Sequence, residues 1–242
     1  MSGPGGAQLE LLVEPVGSVL AIVAHPDDLE YGAAAAVATW TRRGQRVAYL
    51  LATRGEAGID GLAPHEAAPL REAEQRRSAA RVGVDEVDFL DRPDGTVVAD
   101  LALRRDLAAA IRRQRPDTVL TINHREDWGA PGTRNSADHR AVGAAVLDAV
   151  DDAANRWIFP GLGGAPHAVS RVLVAASPAA RHAVDVTGAV DDAVASLAEH
   201  RAYLEGLGDH PMADPEWLRP LMAETGAAAG VDAAVAVELF AR

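Results

Sequence analysis

The chain has 242 residues, 48% of them hydrophobic and 24% charged, with a formal net charge of −12. That length fits one large domain with a sizeable core, and the acidic balance argues against a nucleic-acid partner. There is no cysteine, and all 23 basic residues are arginine, which excludes disulfides, thiolate nucleophiles, Cys-ligated zinc and lysine Schiff-base or P-loop chemistry.

The N-terminal stretch MSGPGGAQLELLVEP has neither a basic n-region nor an apolar h-region, and no apolar run reaches membrane-span length. A cytoplasmic location away from the membrane is therefore expected. Residues 1–16 read as a loose lead-in. Beyond them strand and helix signals alternate: a strand over Ser18–Ala24, a helix over Leu29–Arg43 closed by Gly44, and a strand over Arg46–Thr53. A helix follows over Leu70–Val82, then a strand over Val87–Leu90, a helix over Leu101–Arg115 stopped by Pro116, and a strand over Thr118–Asn123. A polar loop leads to a helix over Asp138–Ala154. Weaker strands lie at Arg171–Ala176 and Ala183–Val186, and a long helix at Val190–Glu205. Residues 208–242 extend the same domain, with a helix near Glu216–Glu224 and a strand near Ala234–Phe240.

This alternation predicts an α/β fold, a Rossmann-like open and mostly parallel sheet with helices on both faces. Ligands in such sheets bind beyond the carboxyl ends of the strands, at the switch point where the first and fourth strands lie side by side. The loops after those two strands are the densest in His and Asp. The first carries His25, Asp27 and Asp28, and the second His124, Asp127, Asp138 and His139. They are expected to face each other.

In AHPDD, His25 and Asp28 are three residues apart and share one side of a tight turn, while Asp27 points elsewhere. The natural reading is two metal ligands, with Asp27 aimed at the ion's open position as general base and His139 as third ligand. Two histidines, one aspartate and a water form an open, catalytic zinc pattern. A dication would also offset the repulsion between the adjacent aspartates. The bland alternatives are a polar loop histidine and an N-capping Asp28. The first turn lacks G-x-G-x-x-G, so no dinucleotide site is expected.

VAHPDDLEYG together with NSADHRAVGAAVLDA resembles the LmbE/PIG-L family of metal-dependent N-deacetylases. The likeness continues through ATRGEAG, LREAEQRRSAARVGV, FLDRPDG and SLAEHRAYL, over about residues 17–204. The resemblance implies zinc, with Fe2+ as an alternative ion, held by His25, Asp28 and His139, and Asp27 as the base. It also implies a small N-acetylated, amino-sugar-containing substrate that is cleaved to acetate and a free amine. Arg71 matches a substrate-binding arginine of the family, Asp94 lies where the family contacts a substrate hydroxyl, and Glu56 is a weaker match. Their bland readings are a solvated arginine at a helix start, a turn aspartate and a solvated loop glutamate.

One position departs from the family. Ser136 stands where many members carry a histidine assigned to the oxyanion or to proton donation. A serine hydroxyl can donate a hydrogen bond but cannot serve as a cation or general acid near neutral pH. His124, Arg134 and His200 are the candidates to replace it. Asp138 is read either as orienting a ligand histidine or as a helix N-cap. Of Tyr31, Trp128, Trp157 and Trp217, Trp128 is the best placed to stack on a sugar.

Two other readings stand beside deacetylation: an amidase cleaving another acyl group or a thiol conjugate, and a non-catalytic metal- and sugar-binding member. Arg- and Ala-rich helix faces leave room for a homo-oligomer, without a readable interface.

Overall fold

The computed structural model describes residues 8–242, so residues 1–7 of the expected lead-in lie outside the described residues. One sheet of eight strands runs in the order β1-β7-β8-β6-β5-β2-β3-β4. Its strands are β1 (Glu10–Leu11), β2 (Val19–Val23), β3 (Val47–Leu51), β4 (Glu86–Phe89), β5 (Thr118–Ile122), β6 (Arg171–Ala175), β7 (His182–Asp185) and β8 (Ala234–Ala241). All neighbours are parallel except β8, which runs antiparallel to both β6 and β7. The sheet is the open, mostly parallel one expected.

The central strands are apolar throughout because helices cover both of their faces. All five residues of β2 are buried, and their alternation divides them between two cores. Val19, Ala21 and Val23 join one cluster with Leu29, Ala33–Ala38 and Leu197, while Leu20 and Ile22 join the other with Leu107, Ile111, Val146 and Val150. The helices are α1 (Asp28–Gly32), α2 (Ala34–Arg42), α3 (Pro64–Arg81), α4 (Leu101–Gln114), α5 (Ala137–Ala154), α6 (Val190–Leu197), α7 (Arg201–Gly206) and α8 (Leu218–Ala229).

Four local features differ from the sequence reading. The expected 29–43 helix breaks at Ala33, where φ is −149°, directly after Gly32, a weak helix former. The expected 190–205 helix breaks between Leu197 and Arg201, which turns His200 inward to 0% exposure. Helix α3 starts at Pro64 rather than Leu70, with Pro69 inside it and the Glu66 carboxylate accepting from the Ala63 N–H at 3.3 Å. Pro64 costs little at the first helical position, where its N–H would lack a partner anyway, whereas Pro69 forgoes the bond that an N–H there would make to the His65 carbonyl. Within the lead-in, Glu10 and Leu11 pair with β7 and form the sheet edge.

The pairing of β2 with β5 sets up the site. Val19, Leu20 and Ala21 lie opposite Thr118, Val119 and Leu120, while β2 pairs on its other side with β3. The chain therefore leaves the two central strands in opposite directions, and the carboxyl ends of β2 and β5 open side by side.

Candidate metal centre

The loop after β2 is short and buried. Asp28 Oδ2 accepts from the N–H groups of Ala24 at 3.0 Å and His25 at 2.9 Å. This leaves Oδ1 free to face His139 Nε2 at 2.9 Å and His25 Nδ1 at 3.6 Å. His25 Nδ1 and His139 Nε2 are 3.2 Å apart. Three ligand-type atoms, one nitrogen from each histidine and one carboxylate oxygen, thus converge on one point.

Their neighbours settle which nitrogens carry the protons. Asn135 Nδ2 donates to the carbonyls of Asn123 and Arg125, so Asn135 Oδ1 is the acceptor for His139 Nδ1 at 2.9 Å. His25 Nε2 lies 3.1 Å from Asp94 Oδ1 and 3.2 Å from Asp138 Oδ2, so that nitrogen is a donor. Both remaining lone pairs, on His25 Nδ1 and His139 Nε2, then point at Asp28 Oδ1 and at each other. Lone pairs held this way fit a cation, and the N–H of each ring fixed by an oxygen acceptor is the usual support of a metal-bound histidine. The two nitrogens and one carboxylate suit zinc or iron(II) better than calcium or magnesium.

The same point draws positive charge, so a proton on His25 Nδ1 competes there with a cation. Burial works against charge on His25, but the Asp28 charge and hydrogen bonds to Asp138, Asp28 and Asp94 raise its pKa well above the ordinary value. Burial alone would raise Asp28, yet the charges of His139 and His25 and their hydrogen bonds hold it well below the usual carboxylate range.

Asp27 is the residue left over from this cluster. It adopts a left-handed conformation, φ 91° and ψ −21°. Its Oδ2 accepts from Arg71 Nη2 at 2.9 Å. Burial pushes its pKa up to about 6, against the pull of Arg71 and with the push of Asp28. The structure places Arg71 in the interior at 2% exposure. It donates to the carbonyls of Gly55 and Pro26 at 2.8 and 2.7 Å, and its guanidinium carbon lies 4.4 Å from the centre of the Tyr203 ring. A Cβ on Gly55, where φ is +64°, would fall 2.2 Å from Arg71 Nη1. Glycine at this position is what lets the guanidinium reach Asp27.

Two further loops close the back of His25. Asp94 Oδ2 accepts from Ala57 N–H at 2.8 Å, and Glu56 Oε1 accepts from Asp94 N–H at 2.9 Å, a reciprocal clasp between the loops after β3 and β4. Asp138 accepts from Gly95 and Val97 N–H at 2.7 and 3.0 Å besides its contact with His25. Ser136, not Asp138, is the N-cap of α5, accepting from His139 N–H at 3.1 Å. A serine here therefore holds the start of the helix that carries His139.

The other candidates, apart from Trp128, make no hydrogen bond or ring contact to this cluster among the described residues. His124 is half-buried against Gly143, where a Cβ would come within 2.5 Å of the His124 Cβ. Burial, helped by Arg125 and opposed by Glu238, lowers its pKa. It makes no hydrogen bond to the cluster among the described residues. Arg134 is exposed in the second loop, 3.9 Å from Glu126. His200 faces Glu30 Oε2 at 3.5 Å, both side chains fully buried. Trp128 stands edge-on to the His139 ring, centroids 5.8 Å apart, and is 39% exposed. Tyr31 and Trp217 pack on each other, with the Tyr31 hydroxyl donating to the Met212 carbonyl at 2.7 Å. Trp157 is exposed on the surface.

Three participants escaped the sequence reading. Asn135 precedes His139 by four residues, one helical turn, and that spacing was its signal. Gln75 and Tyr203 sit inside motifs quoted for their family likeness, where no local pattern separates them from packing residues.

Comparison with known proteins places the chain in a family. Residues 20–150 match the family model PIG-L, GlcNAc-PI de-N-acetylase. The chain belongs to the PIG-L family. Among relatives in this family, it is 35% identical over 141 residues to the diacetylchitobiose deacetylase of Thermococcus kodakarensis, covering 56% of this chain and 49% of that protein. It is 31% identical over 236 residues to the 1D-myo-inositol 2-acetamido-2-deoxy-alpha-D-glucopyranoside deacetylase of Kineococcus radiotolerans, covering 84% of this chain and 61% of that protein. The chain thus spans about half to three-fifths of these relatives' lengths. The fold is shared with the N,N'-diacetylchitobiose deacetylase from Pyrococcus horikoshii, with a TM-score of 0.80 at 24% identity over 93% of this chain and 84% of that one. No helix among the described residues is long and apolar enough to cross a membrane.

Proposed function

We propose that this PIG-L family member is a metal-dependent hydrolase that removes the N-acetyl group from a small amino-sugar substrate, giving acetate and a free amine. The observation that carries this reading is the convergence of His25 Nδ1, Asp28 Oδ1 and His139 Nε2, with both histidine tautomers set by outer partners. A divalent ion held by these three residues would act as Lewis acid and bring the pKa of its water towards neutrality.

The chain's own residues then handle the protons. Asp27 lies next to Asp28, and Arg71 holds its Oδ2. Its raised pKa of about 6 suits both halves of the reaction. As carboxylate it takes a proton from the attacking water while the water oxygen adds to the amide carbon. As carboxylic acid it returns that proton to the nitrogen as the carbon–nitrogen bond breaks, leaving acetate and the amine. Asp94 and Asp138 hold His25 in place, and Asn135 holds His139. Trp128 offers an exposed ring beside His139, where a pyranose face can stack. Ser136 keeps its O–H free of any acceptor among the described residues while its oxygen caps α5.

The relatives named above supply the substrates to try. Acetate release is measured from N,N'-diacetylchitobiose and from N-acetylglucosaminyl inositol, with zinc-loaded protein and its Asp27→Asn variant. Stoichiometric acetate and amine from the wild-type protein, and release slower by about 10²- to 10⁴-fold from the variant, are expected. Release of a different acid from acylated analogues, with no acetate, would move the assignment to an amidase.

A further inference from the structure

Asp27 is tied to a second chain of polar groups, fully buried, which none of the steps above uses. Its backbone N–H donates to Gln75 Oε1 at 3.0 Å. Gln75 Nε2 donates to Glu30 Oε1 at 2.9 Å, which also accepts from Ser78 Oγ at 2.6 Å. Ser78 Oγ lies 2.8 Å from Ser196 Oγ, and His200 Nε2 lies 3.5 Å from Glu30 Oε2. The chain joins α1, α3, α6 and the start of α7 in the interior.

Burying a carboxylate, an amide and an imidazole together is a poor way to stabilise a fold, since well-packed apolar residues of similar volume serve as well or better. What apolar residues cannot do is present an acceptor at one chosen point. The Glu30 carboxylate can only accept, so it fixes the Gln75 amide with its NH2 towards Glu30 and its carbonyl towards Asp27. That carbonyl meets the N–H of a residue whose φ of 91° few non-glycine residues adopt. Backbone strain of this kind persists only where surrounding contacts over-determine it.

We propose that Gln75, oriented by Glu30, is a positioning residue that holds Asp27 in its left-handed backbone conformation and so aims its carboxylate at the reacting water. The aiming role rests on Asp27 being the base proposed above. The geometry separates this function from metal binding. Asp28 Oδ2 is anchored by the N–H groups of Ala24 and His25 and not by Gln75, so loss of Gln75 leaves the ligand set and the Arg71 contact to Asp27 Oδ2 in place and removes only the partner of the Asp27 N–H.

The test is a crystal structure and steady-state kinetics of zinc-loaded Gln75→Met, a similar shape with no acceptor. The expected result is that residue 27 leaves the left-handed region and kcat falls by about 10-fold or more. KM should stay within about 2-fold and zinc content at the wild-type level. Glu30→Gln keeps an acceptor for Gln75 Nε2 and is expected to retain activity, whereas Glu30→Leu should behave like Gln75→Met. If Gln75→Met does not fold, Gln75→Asn keeps the amide but is one carbon too short to reach both partners, and it is read in the same way. A residue 27 that keeps its positive φ, or one that relaxes with kcat unchanged, overturns the proposal. If the wild-type protein releases no acetate from any acetamido sugar, the deacetylase reading fails, and φ at residue 27 still decides whether Gln75 holds the backbone.

Discussion

The loop after β2 runs from Ala24 to Asp28 with every residue buried except the half-buried His25, whereas the loop after β5 runs from Asn123 to Ser136 and is exposed along most of its length. In the first, both aspartates and the N–H groups of Ala24, His25 and Asp27 have fixed partners. In the second, the partners that matter here gather at its far end, where Asn135 orients His139 and Ser136 caps the helix that carries it. The middle is held by its own short-range bonds, such as Trp128 N–H to the Thr133 carbonyl at 2.9 Å. One loop is built to leave its carboxylates no freedom, and the other to bring a single histidine across while leaving exposed surface beside it. Chemistry should therefore be sensitive to the first loop and substrate choice to the second.

Four substitutions test that division, from the largest effect to the smallest. Asp27→Asn should lower kcat by about 10²- to 10⁴-fold while zinc content, measured by plasma mass spectrometry, stays at the wild-type level; loss of the metal would place Asp27 among the ligands instead. Because burial raises the Asp27 pKa to about 6, its carboxylate is lost at a higher pH than for an ordinary aspartate, near 4. The acid limb of kcat/KM in the wild-type protein should accordingly fall through about pH 6. Asn135→Ala removes the oxygen that fixes the His139 tautomer, and zinc affinity by competition titration should drop about 10- to 100-fold.

Trp128→Ala bears on the exposed part of the second loop. KM for an acetamido sugar should rise about 3- to 10-fold with kcat little changed, as expected for loss of a stacking contact. A fall in kcat alone would mean that Trp128 acts by packing on His139. Ser136→Ala removes a helix cap and should destabilise the fold by about 1 kcal/mol, read as a lower Tm, with kcat within about 2-fold. A kcat loss of about 10²-fold or more would instead identify Ser136 as the oxyanion donor.

Much of this arrangement is legible in the sequence because it is written locally. The all-apolar runs of β2 and β5 announce strands covered on both faces, and strand order then brings two His/Asp-rich loops together. His25, Asp28 and His139 follow from that step. Asp138 was open between two readings, and only the tertiary structure shows that Ser136 takes the cap and frees Asp138 for His25. Gln75, Glu30 and the buried placement of His200, itself a candidate beside Ser136, were hidden for a related reason. Each meets partners far away in the chain, and His200 reaches the interior only because the helix over 190–205 breaks just before it. The antiparallel course of β8 is likewise set by where α8 returns the chain, which no pattern within β8 records.

The central claim is that both loops hold one ion, and an anomalous difference map from zinc-loaded crystals tests it directly. The predicted result is a single peak about 2.0–2.2 Å from His25 Nδ1, Asp28 Oδ1 and His139 Nε2. The opposite face of the same imidazole offers a built-in alternative, since His25 Nε2, Asp94 and Asp138 also cluster closely enough to hold an ion. A peak on that face, or no peak at either, would contradict the account.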